Sequence, residues 1–186
     1  MIARYLSSCA TRALNGLRRF RQREDGTATI EFAIVIPAFL FLLMNTVELG
    51  LITIQQSMLE RALDQTVRDL RLGTGAAQQH NEIRDSVCQR SPFIRNCETS
   101  LRLEMVQVDP FAWTPINPEP DCINRIEDVQ PVRAFINGDS NDLMFIRACL
   151  SFKPAFPHWG LADDMDTDVD GRIRLYATSA FVQEPR

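Results

Sequence analysis

The sequence predicts an α+β protein: a long N-terminal transmembrane helix that extends into a small disulfide-bearing domain with an antiparallel sheet of about three to four strands. Three observations predict it. An uncharged apolar run follows a cluster of arginines near the N-terminus. An amphipathic helical pattern continues from that run without a break. Beyond it, short alternating strand patterns and four cysteines fill the remaining chain. A chain of 186 residues has room for an anchor and one modest domain.

The apolar run comes first. From Phe32 to Val47 the chain reads FAIVIPAFLFLLMNTV with no formal charge. With Leu49 to Ile54 added, and Glu48 allowed, it reaches 23 residues, and about 20 suffice for a helix to cross the hydrocarbon core. Arg4, Arg12, Arg18, Arg19, Arg21 and Arg23 precede it against only Glu24 and Asp25, whereas the rest of the chain is net acidic. Arginine excess marks the cytoplasmic flank, so the N-terminus is expected inside and the C-terminal domain outside. A buried core helix would carry polar residues on one face. A secretory signal would end in a small-x-small cleavage site, where this chain has Asn45-Thr46-Val47-Glu48. A transit peptide would account for the arginines but not for the span behind them.

The expected organisation is therefore a basic cytoplasmic leader over 1–26 and a transmembrane helix over 27–54. An amphipathic extension follows over 55–75, and an extracytoplasmic α+β domain over 76–186. In the extension, Leu59, Leu63, Val67 and Leu70 recur at helical spacing, and Gly73 and Gly75 end the pattern. A second helix is expected within 76–90 and a strand at SLRLEMVQV, where Leu101, Leu103 and Met105 alternate with Arg102 and Glu104. Residues 109–121 carry four prolines and read as a surface loop. A short strand interrupted by Pro131 is expected within 129–136. The strongest strand is LMFIRACLSFK from Leu143, and RIRLYATSAFV from Arg172 is the last.

Two carboxylates, Glu31 and Glu48, bracket the apolar run. An ionisable group in a span is costly and is a functional candidate. Glu48 reads as an interfacial carboxylate. Glu31 has more around it: Gly26-Thr27-Ala28-Thr29-Ile30-Glu31-Phe32 puts a glycine at the end of a basic leader and a glutamate five residues later, at the start of the apolar run. Pro37 follows, where its missing N–H leaves the Ala33 carbonyl without a helical donor and predicts a kink.

The run G-TATIEFAIVIP, Gly26 to Pro37, resembles the start of TadE-like pseudopilins of tight-adherence (Flp-type) pilus systems. The ending Phe181-Val182-Gln183-Glu184-Pro185 is similar to theirs, with Gln183 where Asn is usual. The resemblance covers roughly 26–72 and 143–186. It implies cleavage by a prepilin peptidase between Gly26 and Thr27, which would place Glu31 fifth in the mature chain. It also implies that Glu31, with Phe32 and Pro37, serves assembly by pairing with the α-amine of a neighbouring subunit, an ion pair that would offset part of the cost of burial. Asp25, before the implied cut, departs from the basic residue usual there. The implied partners are the prepilin peptidase, other pilins or pseudopilins, the inner-membrane assembly platform and the lipid bilayer. The implied location is the bacterial inner membrane, with a periplasmic domain.

Cys9 falls in the leader. Cys88, Cys97, Cys122 and Cys149 fall in the domain, where an oxidising compartment favours two disulfides. Three connectivities are possible; the preferred one is Cys88–Cys97 with Cys122–Cys149. Absence of a CxxC pair argues against zinc. Asp166-Thr-Asp-Val-Asp-Gly171 matches the first half of a calcium loop, but Ala177 stands where the bidentate glutamate belongs. Asp166, Asp168 and Asp170 are thus a weak calcium candidate within a solvated acidic turn, and no cofactor is otherwise expected. Only two histidines exist, His80 and His158, without a nucleophile motif or phosphate loop. Scattered basic residues argue against a nucleic-acid partner. A structural role rather than an enzyme is expected. An uncleaved inner-membrane anchored scaffold and a ligand-binding periplasmic module, with calcium or glycan as its ligand, are the alternatives.

Overall fold

A computed structural model describes residues 26–72, 79–112, 115–118, 120–123, 135–157, 160–165, 167–168 and 170–185. The leader before Gly26 lies outside them, as do most of the expected 129–136 strand, His158 and Asp166. By internal contacts the chain forms two units, residues 1–44 and residues 45–186.

Helix α1 runs unbroken from Thr27 to Leu72 and contains Pro37. At 1.5 Å per residue its 46 residues extend about 69 Å. Its most apolar stretch has no share buried within the protein and is long enough to cross a membrane. Ile30, Phe32, Ile34, Val35, Phe39 and Leu42 all expose their side chains. From Asn45 onward the same helix belongs to the second unit. There Glu48, Ile52, Leu59, Leu63, Thr66 and Val67 form one buried stripe at helical spacing. Domain packing on α1 thus begins at Asn45, inside the 27–54 segment read as span.

Helix α2, His80–Gln89, opens with the Gln79 N–H donating to Glu82 Oε2 at 2.9 Å, which satisfies one of its first free donors. A one-turn helix, α3, covers Cys97–Ser100. Strands β1 (Leu101–Val108) and β2 (Leu143–Phe152) pair antiparallel, with Leu103 opposite Ala148. After the short helix α4 (Leu161–Asp164), strand β3 (Ile173–Val182) pairs antiparallel with β2, with Ala177 opposite Ala148. The sheet has three strands in the order β1-β2-β3. Of the expected 129–136 strand, Phe135 and Ile136 are described: Phe135 forms an isolated parallel bridge to Met105, and the Ile136 N–H donates to the Met105 carbonyl at 2.9 Å.

One face of the sheet carries Leu103, Met105, Met144, Ile146, Leu150, Ile173, Leu175 and Phe181. These join Leu59, Leu63 and Val67 of α1, and Ile83 and Val87 of α2, in a single core. The other face differs from the alternation read in the sequence. Arg102 and Glu104 stand at polar positions of β1, yet both are buried, with 5% and 7% exposure. The proline-rich loop covers them. Arg147 Nε donates to Glu104 Oε2 at 2.9 Å and its Nη1 to the Asn117 carbonyl at 2.8 Å, while Arg102 Nε lies 3.0 Å from Asp121 Oδ2. Buried charges persist only when paired and hydrogen-bonded, and the loop supplies those partners. Disulfide Cys122–Cys149 ties it to β2, and Cys88–Cys97 joins α2 to α3.

Candidate functional site

Gly26 directly precedes α1 and Thr27 is its first residue. Gly26 is itself in a 3₁₀-helical conformation that runs directly into α1. A Cβ at Gly26 would meet nothing within 4 Å, so packing in the described protein does not require glycine there. Glu31 and Pro37 are exposed, and Phe32 is 65% exposed. All three lie in the first unit, within the helix.

Glu48 behaves differently from Glu31. It is 2% exposed. The Ala155 N–H donates to its Oε1 and the Phe156 N–H to its Oε2, both at 3.1 Å. One turn earlier, Asn45 Oδ1 accepts from the Leu161 N–H at 2.7 Å. Gly160 makes that approach possible: it holds φ +65°, and a Cβ there would stand 2.2 Å from Asn45 Oδ1. The two side chains thus fasten the turn between β2 and α4 to α1. Glu48 is not the freely solvated interfacial carboxylate that the sequence suggested. Its charge is compensated by two backbone dipoles. The only sequence signal was its place in an apolar run; its partners lie 107 and 108 residues away.

At its far end α1 is fastened again. Gln183 Nε2 donates to the Leu70 carbonyl at 3.4 Å, one of the last four carbonyls left without a helical donor. Glu184 pairs with Arg71 on the surface. The tail motif is therefore a clasp on the helix end.

In the acidic turn Asp168 and Asp170 are described, and the Asp168 carboxylate is already hydrogen-bonded. Its Oδ1 accepts from the N–H groups of Asp170 and Arg172, and its Oδ2 from Ser151 Oγ. Among the described residues, no group of three or more His, Cys, Asp or Glu side chains is arranged to hold a metal ion. His80 is buried. Its Nε2 accepts from the Leu103 N–H at 3.3 Å, its Nδ1 lies 3.2 Å from Asn81 Oδ1, and its ring stands edge-on to Phe135. Burial lowers its pKa below 6.5, with Arg102 and Arg84 adding to the shift and Asn81 and Asp121 opposing it. It closes the outer edge of β1 rather than facing a cleft.

No curated protein and no solved structure matches the chain. The match to a family model begins at Gly26 and ends at Arg68, so it takes in the expected processing segment and most of α1, but not the 143–186 stretch. Over residues 26–68 the chain is similar to the TadE-like protein family.

Proposed function

We propose that this chain is a minor pilin or pseudopilin, a structural subunit for assembly of a tight-adherence (Flp-type) pilus. It is held in the inner membrane by α1, with the arginine-rich leader in the cytoplasm and the disulfide-bearing domain in the periplasm. A prepilin peptidase cuts between Gly26 and Thr27. Glu31 then serves assembly by meeting the α-amine of a neighbouring subunit. The role is structural rather than catalytic.

One observation carries this reading. The TadE-like match starts at Gly26 itself and takes in Thr27, Glu31, Phe32 and Pro37. Thr27 and Glu31 lie one turn apart on α1, so a cut before Thr27 would place the new α-amine one turn from Glu31. The exposed apolar surface from Ile30 to Leu43 needs either lipid or other subunits to cover it, and a pilin uses both in succession. The test is coexpression of the full chain with an active or an inactive prepilin peptidase, followed by N-terminal sequencing. The reading expects Thr27 as the first residue only with the active enzyme. Cleavage absent in both would leave an uncleaved anchored scaffold.

A further inference from the structure

The turn fastened to Asn45 and Glu48 has an uncommon backbone. In Pro154-Ala155-Phe156-Pro157 the two prolines have no N–H, and the N–H groups of Ala155 and Phe156 both donate to Glu48. Four consecutive residues of irregular chain therefore present no free donor. A turn in water needs no such arrangement, because solvent would satisfy its donors. A turn at the water-poor border of the hydrocarbon core gains from it.

Its position along α1 fits that environment. Residues 27–46 or residues 32–51 would each supply the roughly 20 residues that cross the core, and in either register Asn45 and Glu48 fall at the outer boundary. On the helix surface away from the domain, Val47, Leu49, Leu51 and Ile54 remain exposed and apolar, and the next formal charge after Glu48 is Glu60. Ala155 is exposed, Phe156 and Pro157 are half-buried, and the exposed Lys153 just before them is the only lysine in the chain. A lysine that can reach headgroup phosphates beside apolar side chains suits a membrane interface.

We infer that the turn at Lys153–Pro157 is a lipid contact: it lies in the outer interfacial zone of the bilayer, so the domain is seated on the membrane and not only tethered to it. This rests on the reading of α1 as a span, and the test separates the two. Full-length chain would be reconstituted in vesicles of phosphatidylcholine and phosphatidylglycerol carrying bromine near the headgroup or deep in the acyl chain. Single-tryptophan variants would be made in a Trp113→Phe, Trp159→Phe background. Phe39→Trp reports on the span, Phe156→Trp on the turn and Phe111→Trp on a fully exposed distant loop. Ala155→Trp replaces Phe156→Trp if the latter loses its native circular dichroism.

The expected result is loss of emission at 39 mainly with deep bromine, loss at 156 mainly with shallow bromine, and no loss at 111. Quenching at 39 with none at 156 overturns the lipid contact and leaves the span standing. Quenching at 156 greatest with deep bromine, or equal at 156 and 111, also overturns it. No quenching at 39 overturns the span and the contact together.

Discussion

Glu48 and Asn45 concentrate the argument at the scale of single residues. Glu48→Ala removes the acceptor of two part-buried backbone N–H groups, each costing about 1–3 kcal/mol if water does not replace it. The domain should lose about 3 kcal/mol of stability, read by denaturant unfolding of the solubilised chain, and Glu48→Gln should lose less. Gly160→Ala should cost about 2 kcal/mol, because it combines a left-handed backbone with a clash against Asn45. His80 gives a pH prediction. Its folded pKa is lowered from 6.5, so below that value the unfolded chain binds protons more readily than the folded one. The stability it contributes is complete above 6.5 and declines as pH falls below it. In His80→Gln, which retains an acceptor for Leu103, the loss of Tm between neutral and mildly acidic pH should be smaller than in the wild type. An equal loss in both would remove His80 as its source.

At the scale of elements, much was legible in the sequence. The long helix follows from an apolar run joined to a 3.6-residue stripe with no breaker between them, and the three strands follow from their alternation. The clasp of Glu48 on Ala155 and Phe156 was not legible, because it joins segments more than a hundred residues apart. The ionic layer of Arg102, Glu104 and Arg147 was missed for a different reason. Alternation separates the two faces of a strand but says nothing of a loop that covers the polar one. Cys122–Cys149 fixes that loop, so Cys122→Ala with Cys149→Ala should cost about 3 kcal/mol. Hydrogen exchange at 115–122 should rise while β2 and β3 stay protected. Unchanged exchange there would mean that the arginine pairs alone hold the loop.

For the whole molecule, the sequence divides a basic N-terminal segment from an acidic body at Gly26, and the TadE-like match begins at that same residue. The first unit buries none of its apolar stretch, whereas the second has a sheet, a core and two disulfides of its own. An anchor that needs an environment and a domain that is complete without one suit a subunit stored in a membrane before assembly. The most direct measurement is the N-terminal sequence of the protein from membranes that contain an active prepilin peptidase. The account predicts a mature chain beginning at Thr27, absent when the peptidase is inactive. A chain that keeps its arginine-rich leader in the presence of the active enzyme would contradict it.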